Sequence, residues 1–245
     1  MTECIVYLNL CNWNLCLKIV IEICLLIIFI RMPFHFDKNN TFYITLEHAT
    51  DRQERMRQRF QHFGMEVTQW TASTPSTLTD SFYVALGPYE KACAQSHMNI
   101  WKHMVANEME YAFIMEDDAC FDRDWKEKLD QYEGQDNDWD VMMLNASESM
   151  SVRNRWIVSK EQYLTAGYVI SKRGAKQLLD MFRGAYGSSD WMLTRLQIRG
   201  HSYCYFPWLI IQEGIESSIR TDCSPDRNKV VRLLGEINYD IENYI

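Results

Sequence analysis

The chain has 245 residues, of which 47% are hydrophobic and 24% charged, and its formal net charge is −8. An acidic chain without a basic stripe excludes nucleic acid as an expected partner. Its eight cysteines include no Cys-x-x-Cys pair, so zinc binding and thioredoxin-type redox chemistry have little support.

Residues 1–31 form a hydrophobic N-terminal segment that differs in composition from the rest of the chain. Its apolar run, residues 15–30, is slightly shorter than the about 20 residues that span a bilayer. No small-residue cleavage site follows, which argues against a cleaved signal peptide. Two interpretations stay open: a single-pass signal-anchor of a membrane-associated protein, or a non-native extension of a cytoplasmic protein translated from Met32. Residues 32–245 are expected to form a single domain.

The first elements of that domain are a strand, a helix and a strand. The apolar residues 42–46 predict a buried strand. A helix is expected to start at Thr50-Asp51 and to end before Gly64, because the former favour a helix start and glycine favours its end. Residues 65–70 alternate in polarity and predict a second strand, and this order of elements is typical of a parallel sheet.

The remaining elements continue the alternation. Helices are predicted over residues 91–107, over residues 172–182 and within residues 187–200, because apolar residues recur there at helical spacing. Strands are predicted over residues 111–115, 139–144, 165–171 and 203–211. Together these elements predict an α/β fold with a mainly parallel central sheet flanked by helices.

Three consecutive acids, Glu116, Asp117 and Asp118, directly follow the apolar strand over residues 111–115. Neighbouring carboxylates oppose one another's ionisation, and a bound divalent cation removes that cost. Hard oxygen ligands suit Mg²⁺ or Mn²⁺, and ligands of open α/β sheets bind at the carboxyl ends of the strands. Taken alone, such a triplet is more often a solvated turn, so the surrounding sequence must decide between the two interpretations.

Six ordered blocks around this triplet resemble glycosyltransferase family 25, which includes lipooligosaccharide galactosyltransferases and collagen galactosyltransferases. The blocks are residues 43–46 with Asp51-Arg52 and Arg55; residues 92–97 (ACAQSH) with Trp101; residues 113–118 (FIMEDD); residues 165–175 (TAGYVISKRGA); Asp190; and Gln212 with residues 217–219 (SSI). Short acidic motifs recur by chance, but six blocks in order over about residues 41–222 are a specific signal.

The resemblance implies a GT-A-type nucleotide-sugar-binding fold and a single glycosyltransferase domain over residues 32–245. It further implies inverting transfer of a hexose, most often galactose from a UDP-linked donor, to a glycan or glycoprotein acceptor, with Mn²⁺ (or Mg²⁺) on the diphosphate. Three departures from the family pattern put donor and acceptor identity in question: Ala92, Ala166-Gly167 and Ser218.

Carried onto this chain, the resemblance also implies roles for individual residues. Glu116 and Asp118 are expected to bind the metal and Asp190 to be the catalytic base; the donor-binding residues are expected to be Arg52, Arg55, His97, Asp117 and Gln212. Each role has an alternative. The arginines could be exposed helix residues, His97 a satisfied core residue, and Asp190 an acid that favours its helix dipole.

Two other functions stay open. A metal-dependent phosphohydrolase would use the same triplet, but it normally needs further ligands from several strand ends, and the sequence does not supply them. A non-catalytic, membrane-tethered sugar-binding protein with a degenerate site would explain the three departures. The sequence does not indicate an oligomeric state.

Overall fold

The computed structural model describes residues 34–132, 138–145, 152–214 and 227–245. Its strands are β1 (Thr41–Thr45), β2 (Thr68–Thr71), β3 (Tyr111–Glu116), β4 (Ala119–Phe121), β5 (Val141–Met143), β6 (Trp156–Val158), β7 (Gly167–Ser171), β8 (Ser202–Tyr205) and β9 (Ile210–Gln212). The helices are α1 (Thr50–Phe63), α2 (Pro88–Ala106), α3 (Trp125–Asp130), α4 (Lys172–Met181), α5 (Ser189–Gln197) and α6 (Arg227–Gly235), with 3₁₀ turns at Pro75–Thr77 and Ile241–Asn243.

A mixed sheet with the strand order β2-β1-β3-β7-β5-β8-β6 forms the centre of the fold. The β1–β2, β1–β3 and β5–β8 pairs are parallel, whereas β7 is antiparallel to both β3 and β5, and β6 is antiparallel to β8. Only β6 and β7 therefore oppose the common strand direction, so the sheet is mainly parallel and the expected α/β class is confirmed. β4 and β9 form a separate antiparallel pair.

The main core lies between this sheet and helices α2, α4 and α5. Apolar residues recur at helical spacing along α2, and Met98, Trp101 and Met104 are fully buried against the sheet. Each such side chain contributes about 1.5–3 kcal/mol through its burial. A smaller core under β4, β9 and α6 includes Trp208 and Leu234. The strands and helices around the residues described below are thus held in place by packing.

Helix α1 has the boundaries that its sequence predicts. Gly64 adopts a left-handed conformation with φ of 59°, and its N–H donates to the carbonyl groups of Gln61 and Phe60. Glycine favours this conformation because it has no Cβ, so the helix ends there. Arg52, Arg55 and Arg59 lie on the part of α1 that approaches the ends of the strands.

The strand region predicted over residues 203–211 is interrupted in its middle. The structure has two strands there, β8 in the central sheet and β9 in the pair with β4. The Phe206-Pro207 peptide bond between them is cis, and proline cannot donate a backbone hydrogen bond to a continuing ladder. β9 thereby leaves the central sheet and pairs beside the acidic triplet.

The described residues from Phe36 onward belong to one compact unit. The apolar run over residues 15–30 lies outside the described residues. Within the described ranges, no helix combines the length and the apolar character that a membrane crossing requires.

Candidate active site

The acidic triplet lies at the carboxyl end of β3, as the sequence predicts. Glu116 is the last residue of β3, and Asp117 and Asp118 form the turn that leads into β4. The parallel neighbour β1 pairs Ile44 with Glu116, so the carboxyl end of β1 lies beside the same turn. Two strand ends and the start of α1 therefore meet at one edge of the sheet.

Asp117 joins these elements to one another. Its Oδ1 accepts a hydrogen bond from Arg52 Nη1 at 2.7 Å, and its Oδ2 accepts one from Thr45 Oγ1 at 2.7 Å. Burial alone would lower the pKa of Arg52, but the charge and hydrogen bond of Asp117 outweigh it and raise that pKa. Both carboxylate oxygens of Asp117 are thus engaged by protein groups, so Asp117 secures α1 to the strand ends.

Asp118 is in a different electrostatic position. Its Oδ1 is buried and has no hydrogen-bond partner among the described residues. Burial, and then the charge of Glu116, raises the pKa of Asp118 to about 7. A buried carboxylate oxygen of this kind is costly unless a cation or a proton neutralises it. Oxygen donors suit Mn²⁺ or Mg²⁺, so Asp118 and Glu116 fit the metal that the family resemblance implies.

Glu116 is held by two side chains behind it. Its Oε1 is hydrogen-bonded to His97 Nε2 at 3.2 Å and accepts a short hydrogen bond from Thr165 Oγ1. Burial opposes ionisation of Glu116, but the hydrogen bonds of His97 and Thr165, followed by the charge of Arg52, lower its pKa overall. Glu116 therefore carries the negative charge near neutral pH, and Asp118 is the group that takes up a proton.

His97 is completely buried, and both ring nitrogens contact protein groups. Nδ1 lies 2.9 Å from Tyr168 Oη, which also accepts a hydrogen bond from Trp101 Nε1 at 3.0 Å. All donors are satisfied if Tyr168 donates to Nδ1 and His97 donates from Nε2 to Glu116. The structure thus places His97 behind the acidic turn, where it orients Glu116.

Glu213 is a site residue that the sequence reasoning missed. Its carboxylate accepts from Arg55 Nε at 3.0 Å and from Arg59 Nη2 at 2.9 Å, and its backbone N–H donates to the Asp118 carbonyl at 2.7 Å. The expected donor ligand Gln212 precedes it and pairs with Ala119 in the β4–β9 register. Arg55 and Arg59 are four residues apart and so share one helix face, but this spacing does not identify their acidic partner.

Asp190 is the second residue of α5, and the start of this helix approaches Glu116 from another side. The preceding Ser189 has its Oγ 3.4 Å from Thr165 Oγ1 and 3.8 Å from Cys93 Sγ. The half-buried Asp190 accepts a hydrogen bond at Oδ1 from the Trp191 N–H at 2.7 Å. Burial, and then the charge of Glu116, raises the pKa of Cys93 well above its usual value.

The structure therefore gathers the predicted residues around one edge of the sheet. Glu116, Asp118 and Gln212 lie at the acidic turn, Arg52 and Arg55 reach it through Asp117 and Glu213, and Asp190 approaches it through Ser189. The block of residues 217–219 lies outside the described residues.

Comparisons with known proteins identify the family of this chain. Residues 38–193, more than half of the chain, match the sequence profile described as "Glycosyltransferase family 25 (LPS biosynthesis protein)". A crystal structure of a glycosyltransferase involved in the glycosylation of the major capsid of PBCV-1 superposes with a TM-score of 0.34 and 8% identity, over 59% of this chain and 66% of that one.

Several curated proteins are similar in sequence. Procollagen galactosyltransferase 1-A of Xenopus laevis is 29% identical over 180 residues, which cover 61% of this chain and 29% of that protein. Procollagen galactosyltransferase 1 of Danio rerio is 31% identical over 180 residues, with coverage of 60% and 30%. The chain thus spans less than a third of the length of these relatives. The family expected from the motifs is confirmed: this chain belongs to glycosyltransferase family 25.

Proposed function

We propose that this chain transfers a hexose, galactose by its likeness to the procollagen galactosyltransferases, from a UDP-linked sugar to a hydroxyl group of a glycan or glycoprotein, with inversion at the anomeric carbon. One observation carries the proposal: the buried, unpartnered Oδ1 of Asp118 stands beside the ionised Glu116 at the carboxyl edge of the sheet, within the part of the chain that the structure describes. This is where α/β folds bind nucleotides and where a diphosphate needs a cation.

Asp118 and Glu116 are the residues that hold the metal in this proposal. The described hydrogen bonds of Glu116 both fall on Oε1, so Oε2 is the oxygen that we assign to the ion. A divalent cation held by these two residues would supply positive charge for the leaving diphosphate. Arg52 is paired with Asp117, and its positive charge also lowers the pKa values of Glu116 and Asp118 from what burial alone would give.

Asp190 is the base that takes the proton from the acceptor hydroxyl. The Trp191 N–H donates to Oδ1 of Asp190 and orients the carboxylate, and Oδ2 is the oxygen that we assign to the proton. A base in this reaction must lie within hydrogen-bond reach of the attacking hydroxyl. The contacts of Ser189 with Thr165 support this role, because Thr165 in turn contacts Glu116.

Donor turnover tests the proposal. The full chain is incubated with Mn²⁺ and a panel of nucleotide sugars, and the free nucleotide is measured with and without glycan acceptors. We expect release from UDP-galactose and a loss of at least about 100-fold in Asp118→Asn, the scale typical for removing a group that stabilises transition-state charge. The matched control is Asp180→Asn on α4, whose carboxylate pairs only with its helix neighbour Arg183 among the described contacts.

Two results would overturn the proposal. One is the absence of nucleotide release from every donor, which favours the non-catalytic sugar-binding alternative. The other is an equal rate in wild type and Asp118→Asn. Release of inorganic phosphate instead of a nucleoside diphosphate would favour a phosphohydrolase.

We further propose that the apolar residues 15–30 associate the protein with a membrane. The support is the composition of this run alone. Carbonate extraction of membranes that contain the full chain tests the idea. Retention in the pellet is the expected result, and complete release into the supernatant would contradict it.

A further inference from the structure

Three side chains of different chemistry converge behind the acidic turn. Sγ of Cys93, a ring nitrogen of His97 and a carboxylate oxygen of Glu116 all lie within 4.8 Å of one another. Cys93 and His97 are four residues apart on α2 and so share one face of the helix, and Glu116 ends β3 opposite them. Thiolate, imidazole and carboxylate are the three ligand types that Zn²⁺ takes in proteins.

We propose that Cys93, His97 and Glu116 form a site for a thiophilic divalent cation, of which Zn²⁺ is the reference. The donors separate this site from the oxygen site at Asp118: sulfur and imidazole favour Zn²⁺, whereas Mn²⁺ and Mg²⁺ favour oxygen. Three protein ligands with a fourth position open to water or to another ligand is a common arrangement for zinc. A search for paired cysteines misses the site because it contains only one.

The groups around the three ligands already have the arrangement that metal ligands need. Tyr168 Oη lies 2.9 Å from His97 Nδ1, Thr165 donates to Glu116, and Ser189 Oγ lies 3.8 Å from Cys93 Sγ. Outer hydrogen bonds of this kind fix the orientation of a ligand and the position of the proton on its histidine. Every member of the cluster therefore has a partner that holds it toward the other two.

Proton balance follows from the same contacts. To bind an ion through Nε2, the neutral His97 ring must carry its proton on Nδ1, and this N–H then donates a hydrogen bond to Tyr168 Oη. The imidazole thereby changes tautomer without changing charge. Cys93 binds as a thiolate and releases one proton, because the thiolate is the form that ligates metals. Binding of one Zn²⁺ thus releases one proton to the solvent.

The two sites share Glu116, which has a functional consequence. A cation on Cys93 and His97 draws the carboxylate away from Asp118 and weakens the oxygen site. Zn²⁺ is then an inhibitor that competes with Mn²⁺. This consequence rests on the proposed function, whereas the binding itself does not.

Zinc binding to the full chain tests the proposal directly. Metal-free protein is titrated with Zn²⁺ against a chromophoric chelator, in wild type, Cys93→Ser and Cys204→Ala. Cys204 is buried in β8 and is the matched control cysteine. The remaining cysteines are common to all three proteins, so their contributions cancel. We expect wild type and Cys204→Ala to bind one more equivalent than Cys93→Ser, or to bind it at least about tenfold more tightly.

Cobalt provides a second readout that needs no catalysis. The near-ultraviolet charge-transfer band of a Co²⁺–thiolate bond is expected in wild type and is expected to weaken in Cys93→Ser. Equal zinc stoichiometry and affinity in wild type and Cys93→Ser, or an identical cobalt band in both, would overturn the proposal. Wild type that transfers sugar but shows no extra zinc contradicts only this inference. Wild type that binds the extra zinc but turns over no donor contradicts only the proposed function.

Discussion

The backbone N–H of Glu213 donates to the carbonyl of Asp118 at 2.7 Å, and the Glu213 carboxylate is bound by two arginines of α1. Glu213, the residue that follows β9, thus fixes both the turn that contains Asp118 and the helix that contains Arg55 and Arg59. The Glu213 and Arg59 side chains are about nine-tenths buried, with 9% and 10% of their surface exposed. The acidic turn therefore has a buried ionic support next to it.

Removing the Glu213 charge is expected to destabilise the fold. Glu213→Gln leaves the buried guanidinium of Arg59 without its carboxylate, and breaking one side of a buried pair costs about 3–5 kcal/mol. Urea denaturation measures the loss. The matched control is Glu54→Gln on the same helix, whose exposed pair with Arg57 is expected to leave the midpoint unchanged. Equal midpoints for Glu213→Gln and wild type would contradict the buried support.

Neutralising Asp118 is expected to stabilise the metal-free protein while it abolishes transfer. The pKa of Asp118 is raised to about 7 in the folded state, so the folded state holds this proton more tightly than the unfolded state. The contribution of Asp118 to the stability of wild type therefore falls as pH rises from about 4 to about 7. In chelator at pH 8 we expect Asp118→Asn to be more stable than wild type by about 1–3 kcal/mol, since one pKa unit corresponds to about 1.4 kcal/mol. If Asp118→Asn is less stable than wild type at pH 8, the ionised Asp118 carboxylate does not destabilise the fold and this prediction is wrong.

Metal affinity is expected to depend on pH through the same group. A cation at Asp118 must displace the proton, and this carboxyl has a pKa of about 7. The apparent affinity for Mn²⁺ should be constant above about pH 8 and fall by up to about tenfold per pH unit below pH 7, because one proton competes with one ion. Calorimetric titration between pH 6 and pH 8 measures the slope. An apparent affinity for Mn²⁺ that does not change over this pH range would mean that the ion does not bind at Asp118.

Tyr168→Phe is expected to weaken both the fold and catalysis. The substitution removes the hydroxyl that pairs with His97 Nδ1 and leaves the buried Trp101 Nε1 without its acceptor. An unsatisfied buried donor costs about 1–3 kcal/mol. Because His97 then loses its orientation toward Glu116, kcat should fall more than KM changes. Tyr89→Phe, at an exposed position of α2, serves as the control and should match wild type in both measurements.

The sequence indicates some parts of this site better than others, for physical reasons. β3 and its acids are contiguous, so an apolar run followed by three carboxylates is visible without any tertiary information. Glu213 reaches α1 only because β9 pairs with β4. Its contacts with Arg55 and Arg59 join residues that are 158 and 154 positions apart in the sequence, so they leave no local pattern. β4 and β6 are each three residues long and too short for a hydrophobic period to appear.

The role of His97 is also ambiguous in the sequence alone. Its position among apolar residues of α2 is compatible with a plain core histidine or with a donor ligand. The partner Tyr168 is 71 residues away, and only the fold joins the two through one hydrogen bond. Both residues lie in the motif blocks, and the structure shows that Tyr168 contacts His97 and that His97 contacts Glu116.

The reversed direction of β7 determines which loops can reshape the site. Because β7 is antiparallel to β3, its first residue Gly167 pairs with Met115, and the Glu116 N–H donates to the Ala166 carbonyl at 3.1 Å. The segment that enters β7 therefore lies beside the acidic turn, whereas β7 passes directly into α4 at the opposite edge of the sheet. Under the proposed function, changes of length before Thr165 are expected to alter substrate preference, while changes at the start of α4 are expected to leave it unchanged.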